Sequence, residues 1–214
     1  MSMTSTPTPV SDEVAFAAIK AGVDALPPGT KQFLNSGGFT SIPASPVSLT
    51  CVPSAEFYGH GLSTGNLELL ARFFEKYPDY ADRTFLSVKG GTLPGQLLSD
   101  GSRENLRRSV DVILKTLRGT KRLDLFEPAR RDSKYEIEQY AESLKEMVKE
   151  GKFDHIGLSE VNAETIRRAH KVSAIFVDNR TKKAYLGVVC VGNAGCGRRD
   201  RSQPAILRAK NQRR

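Results

Sequence analysis

The feature that most constrains this chain is an alternation of short apolar strands with amphipathic helices. Ser11 to Asp24 reads as the first helix. Ser11 caps it, Asp12 and Glu13 suit its first turn, and Val14, Ala17, Ala18 and Ala21 form its apolar stripe. Pro27, Pro28 and Gly29 end it, and Lys31 to Asn35 follows as a short strand. Further on, Asn66 to Lys76 is an amphipathic helix and Thr84 to Val88 a buried-type strand. Ser102 caps a helix to about Leu117, with Leu106, Val110, Ile113, Leu114 and Leu117 on its apolar face. Leu123 to Phe126 is the next strand. Ser133 and Glu136 have capping-box spacing for a helix through Lys149, which Gly151 ends. His155 to Leu158 is a strand, and Asn162 caps a helix through His170.

Such alternation is the signature of parallel βαβ units. An open doubly wound sheet and a (β/α)8 barrel both use them. No Gly-x-Gly-x-x-Gly follows any predicted strand, which favours the barrel. Four or five units are visible, whereas a complete barrel takes roughly 250 residues. The predicted class is therefore α/β, a partial (β/α)8 barrel.

Two segments break the rhythm. Gly38 to Ala55 holds no charged residue in 18 positions and three prolines, with neither helical nor alternating period, so it reads as an irregular insertion. Beyond Val172, Ala174 to Asp178 and Ala184 to Val191 look like two strands around Asp-Asn-Arg-Thr. Glycines and basic residues then run to Arg214, and the last stretch reads as disordered. The expected plan is a disordered N-terminus over 1–10, a partial barrel over 11–172 and a divergent basic tail over 173–214.

The net charge of +8 raises the question of nucleic acid. From Lys171 onward there are 11 Lys/Arg against 2 Asp/Glu, a balance of +9, so everything before it sums to −1. A phosphate-tracking groove needs its basic residues on a folded face, and here they gather in the tail. No apolar run approaches the roughly 18 residues of a membrane span. Met1 to Val10 lacks the pattern of a secretory signal. Cys51, Cys190 and Cys196 suit neither a disulfide framework nor a zinc site, and no metal is expected. A reducing, cytoplasmic setting is the default expectation.

In a barrel, catalytic groups collect just past the strands. Three places qualify: Asn35 with Tyr58, Lys89 in Ser-Val-Lys-Gly-Gly, and Ser159 with Glu160. A tyrosine near a lysine suits carbonyl reduction. The carbonyl oxygen needs a proton as hydride reaches its carbon, and a phenol with a pKa near 10 serves only if a nearby ammonium favours its phenolate. Against this, a strand-end lysine is usually solvated. His60, His155 and His170 read as loop, structural or surface residues, since none has metal-ligand spacing.

At Glu-Phe-Tyr-Gly (56–59), Thr-Phe-Leu-Ser-Val-Lys-Gly-Gly (84–91), Lys-Arg-Leu-Asp-Leu-Phe-Glu-Pro-Ala-Arg-Arg-Asp (121–132) and the segment from Gly151 to Val172, the sequence resembles aldo-keto reductases. Within them it is most similar to the fungal pyridoxal reductases. The resemblance runs from about Asp12 to Val172 without Gly38 to Ala55. It implies a (β/α)8 barrel that uses NADP(H) to reduce an aldehyde, pyridoxal to pyridoxine.

In the family an aspartate precedes the tyrosine by five residues, whereas Asn35 and Tyr58 are 23 apart. Removing the 18 residues restores five, which suggests a translated intron or a recent insertion. Tyr58 then matches the proton donor, Lys89 the lysine beside it and Asn35 the acid that pairs with that lysine, so Lys89 is expected to lack its usual counter-charge. Ala129 stands where most of these enzymes carry a histidine. Ser159 matches a serine that contacts the nicotinamide carboxamide, and Glu160 replaces the neighbouring asparagine.

The resemblance also implies a first barrel strand before Ser11, and later cofactor-clamping segments that do not appear. An open barrel edge would invite self-association. Two other readings therefore stand beside the reductase. One is a catalytically inactive truncated remnant without cofactor binding, placed first for this chain as written. The other is a nucleic-acid binder acting through the tail.

Overall fold

The computed structural model describes residues 3–35, 56–96, 98–173 and 190–191. The insertion at Gly38 to Ala55 and most of the basic tail lie outside them. Among the described residues five α-helices and six strands are placed, besides two short 3-10 turns: α1 (Asp12–Asp24), β1 (Gln32–Asn35), α2 (Gly65–Lys76), β2 (Thr84–Gly90), α3 (Arg103–Leu117), β3 (Leu125–Pro128), α4 (Ile137–Lys149), β4 (His155–Ile156), β5 (Leu158–Ser159), α5 (Ala163–Ser173) and β6 (Cys190–Val191). Strands β1, β2, β3 and β4 form one parallel sheet in that order. Neighbours in space are neighbours in sequence, each pair bridged by a helix, which is how a (β/α)8 barrel is wound.

Alternation along the strands divides the side chains between two faces. Leu34, Leu86, Val88 and Phe126 join one buried cluster with Ile19, Leu70, Phe73, Leu106, Val110, Ile113 and Leu144 of the helices. The odd-numbered residues point the other way and form layers. Phe33 stacks on Phe85 at 5.3 Å, and Phe85 on His155 at 5.6 Å. Lys89, Glu127 and Ser159 lie toward the C-terminal ends of their strands on this same face. An inward layer of charge and hydroxyl at that end is where a barrel builds its chemistry.

Burial pushes the His155 imidazole below its usual 6.5, against the opposing pull of the Asp154 and Asp124 charges. A depressed folded-state value means that protonation disfavours the fold. Stability is complete above 6.5 and is lost as pH falls through the lower folded value. His155→Phe should flatten the stability curve just below that pH. Urea midpoints taken between about pH 7 and 5 read this directly, and an unchanged slope would exclude His155 as the cause.

Several elements differ from their expected limits. In α1 the buried face is Ala15, Phe16, Ile19 and Val23, while Val14 is 60% exposed. Phe16, Ile19 and Val23 remove far more apolar area from water than an alanine stripe, so they set the helix rotation. Helix α4 starts at Ile137. Glu136 is its N-cap, and its amide donates to Gln139 Oε1 at 3.0 Å, so Ser133 is not the cap. Residues 132–135 instead turn around Asp132, whose amide donates to the Tyr140 hydroxyl at 2.6 Å. The caps at Ser11, Ser102 and Asn162 are formed as expected.

Strand β2 runs two residues further than expected, β3 begins and ends two residues later than expected, and the predicted strand 155–158 breaks at Gly157 into β4 and β5. Of the strand expected over 184–191, residues 190–191 are described. They pair in parallel with β5, Leu158 opposite Cys190 and Ser159 opposite Val191. Residues 3–10, expected to be disordered, run as bends. Met3 is buried, and Val10 N donates to its carbonyl at 3.1 Å. Among the described residues no helix is long and apolar enough to cross a membrane, and no cluster of metal-ligating side chains occurs.

Candidate active site

The later ends of β2 and β3 build the centre of the site. Because β2 continues to Gly90, Lys89 is part of the ladder and pairs in register with Glu127. Parallel neighbours in register point to the same face, so the ammonium and the carboxylate meet with Lys89 Nζ 3.4 Å from Glu127 Oε1. Both are buried, with side chains 8% and 0% exposed. Lys89 Nζ also donates to Ser159 Oγ at 3.0 Å across 70 residues of sequence. Lys89 therefore does not lack a counter-charge. The acid comes from β3, where sequence reading had looked only to the position of Asn35 on β1.

Glu127 has no donor in full hydrogen-bonding geometry at either oxygen, while Lys89 and Ser159 act on it at longer reach. Burial pushes its carboxyl above the usual carboxylate range, and the Lys89 charge draws it partly back. Gly157 makes the space. A Cβ there would lie 2.7 Å from Leu125 Cδ2 and 3.1 Å from Glu127 Oε2.

Tyr58 comes to the same strand end through its backbone. Glu56 N donates to Lys89 O at 2.8 Å, which fastens the segment 56–59 alongside β2. Tyr58 N donates to Asn66 Oδ1 at 3.2 Å, Thr4 Oγ1 donates to Tyr58 O at 3.4 Å, and His60 N donates to Thr4 O at 2.7 Å. Gly59 N bonds Ser63 O at 2.8 Å, and a Cβ at Gly59 would meet Ser63 Oγ at 2.0 Å, so this turn requires glycine.

The buried Glu56 carboxylate completes the fastening. Arg108 Nη1 and Ser109 Oγ each donate to it at 2.5 Å. Ser109 Oγ in turn accepts from Gly91 N at 2.9 Å. Sequence reading missed both Glu56 and Glu127. Inward alternation along β3 would have exposed Glu127, had the strand been extended to Pro128.

Asn35 sits at the end of β1, in register with Ser87. Ser159 is 2% exposed and turned toward Lys89. Glu160 lies just beyond β5 with φ at 56°, and its carboxylate accepts from Arg130 at 3.1 Å. A left-handed backbone is strained for glutamate and much easier for asparagine. Glu160→Asn should therefore raise stability by about 0.5 kcal/mol or more, because the exposed pair with Arg130 contributes little. A lower urea midpoint in that variant would show that the ion pair outweighs the backbone strain. Ala129 is fixed through its amide, which donates to Gly90 O at 2.8 Å, and it offers no polar side chain.

At the opposite end of the strands an open cleft is lined by Leu114, Lys121, Arg122, Glu150 and Lys152. Its charged groups are engaged with Asp124, Asp154, Arg107 and Asp111, so it presents no free binding group among them.

Helix-flanked parallel strands with a polar layer at their C-terminal ends are the architecture of part of a (β/α)8 barrel. The aldo/keto reductase family model matches residues 46–207, and the chain belongs to that family. The matched span passes well beyond Val172. A Schizosaccharomyces pombe protein named "Probable pyridoxal reductase 2" is 50% identical over 116 residues, covering 54% of this chain and 35% of that protein. A Saccharomyces cerevisiae protein that also carries the pyridoxal reductase name is 34% identical over 178 residues, covering 80% of this chain and 45% of its own length. The chain thus spans less than half the length of these relatives. A glycerol dehydrogenase of Gluconobacter oxydans shares the fold, with a TM-score of 0.56 at 18% identity over 80% of this chain and 46% of that one.

Proposed function

We propose that this chain carries the proton-donating half of an NADP(H)-dependent reductase site, acting on pyridoxal or a related aldehyde. The observation that carries this reading is the backbone bond from Glu56 to the carbonyl of Lys89, which sets the Tyr58 segment beside the lysine. When bound, a nicotinamide dinucleotide would supply the hydride for the aldehyde carbon. Tyr58 gives its phenolic proton to the carbonyl oxygen, and the Lys89 ammonium favours the phenolate left behind.

At the nicotinamide end, a carboxamide needs both a donor and an acceptor. Ser159 carries a hydroxyl hydrogen, and Glu160 carries a carboxylate 38% exposed at the strand end. These two residues would hold that group, Glu160 by exchanging its bond to Arg130. The family kinship and the pyridoxal reductase names of two relatives support the substrate class. The proposed setting is the cytoplasm, with a small-molecule aldehyde as partner.

Ala129 favours a second reading, a chain that folds but turns over slowly or not at all, because no imidazole stands there to orient the carbonyl. NADPH consumption by the purified chain with pyridoxal decides between them. Steady loss of nicotinamide absorbance is expected, and folded protein that consumes none would sink the reductase reading.

A further inference from the structure

We infer that Glu127 is the positioning residue of this site, the counter-charge that holds the Lys89 ammonium at the Ser159 hydroxyl. The inference rests on the reductase reading for its catalytic meaning, whereas the pairing itself stands on geometry. Lys89 and Glu127 are in-register partners on adjacent parallel strands, 3.4 Å apart and both buried. The other buried acid near this strand end, Glu56, is taken up by Arg108 and Ser109. Asp124 is bound to Lys121 at 2.7 Å and Glu160 to Arg130 at 3.1 Å. Asn35 offers no charge from β1.

The space for the carboxylate is built in. A side chain at position 157 would collide with Leu125 and press on Glu127, and that position is glycine. A buried carboxylate with so little hydrogen bonding is costly unless its charge is matched, which makes the two residues interdependent.

Through Lys89, Glu127 acts on the tyrosine without touching substrate. An ammonium tethered on one side by Glu127 and on the other by Ser159 cannot swing away from the strand end. The role resembles that expected of an acid at position 35, carried instead by the next strand but one.

The experiment compares the full chain with Glu127→Gln, with Glu127→Gln/Lys89→Met and with Glu127→Asp, by urea unfolding and by NADPH-dependent reduction of pyridoxal. Glu127→Gln should lower the urea midpoint by roughly 1 to 3 M, because it strands a buried ammonium. Adding Lys89→Met should return much of that loss. Glu127→Gln should also lower kcat by about tenfold or more with KM little changed, and Glu127→Asp, which keeps the charge, should retain more of both the midpoint and the kcat.

If Lys89→Met brings no recovery in the Gln background, the two side chains are not coupled and the inference falls. If Glu127→Gln lowers the midpoint but leaves kcat at the parental value, Glu127 is structural only, and its positioning role is overturned. Coupled midpoints in a parent chain that never turns over would uphold the pairing and refute the reductase reading alone.

Discussion

With Tyr58 replaced by phenylalanine, NADPH-dependent reduction of pyridoxal is expected to fall by about 10²- to 10⁴-fold in kcat, the range a positioned general acid supplies. KM should change little, because the ring is kept and the lost interaction belongs to the developing alkoxide. Several contacts that place this loop use its backbone atoms and survive the change: Tyr58 N to Asn66, Tyr58 O from Thr4, and Glu56 N to Lys89 O. Folding should survive, with the urea midpoint equivalent to within about 1 kcal/mol of the parent. A variant that keeps the parental rate would remove Tyr58 from the chemistry. Since Lys89 and Ser159 would remain in place, another donor would then have to be sought at the same strand end.

How much of this was legible in the sequence depended on how each element earns its stability. Helix α3 was read to its last residue because a long apolar stripe and a serine cap agree, and its buried face is Leu106, Val110, Ile113 and Leu117. Helix α1 was found but rotated wrongly. Its alanines satisfy a periodicity as well as Phe16 and Ile19 do, yet the larger side chains decide which face is buried. The strands were placed, but β2 and β3 were ended two residues too early. Lys89-Gly90 and Glu127-Pro128 look like loop chemistry, although inside a barrel these are the residues that turn inward at the strand ends.

The same misjudgement hid the most informative contact. Tyr58, Lys89 and Ser159 were found from strand ends and family likeness, and the structure brings Lys89 and Ser159 within one hydrogen bond. Glu127 was invisible while its strand was thought to stop at Phe126. Register between parallel strands is a tertiary property that periodicity does not report. Glu56 was missed for another reason: its partners Arg108 and Ser109 lie more than fifty residues away on α3, and nothing local distinguishes it from a solvated glutamate.

Removing the Glu56 side chain should therefore do more damage than a loop glutamate ordinarily would. In Glu56→Ala the backbone bond to Lys89 can still form, but the carboxylate that ties the segment to α3 is gone. Ser109 is fully buried and loses the acceptor for its hydroxyl. Arg108 keeps its bonds to Thr92 O at 2.7 Å and Asn105 Oδ1 at 2.9 Å, and it remains about a third exposed, so its charge is not stranded. A fully buried pair broken on one side costs about 3 to 5 kcal/mol, and the exposure of Arg108 reduces this to roughly 2 to 3 kcal/mol. Glu56→Gln keeps one oxygen acceptor in the same place and should lose about half as much. The Tyr58 amide, sheltered by Asn66, should exchange with solvent faster in the alanine variant, because the loop opens without global unfolding. Turnover should then fall through kcat, since a mobile tyrosine spends less time at the reacting oxygen. If the midpoint and the Tyr58 amide exchange both match the parent, Glu56 does not fasten the loop, and the backbone bond to Lys89 must suffice to hold Tyr58 in place.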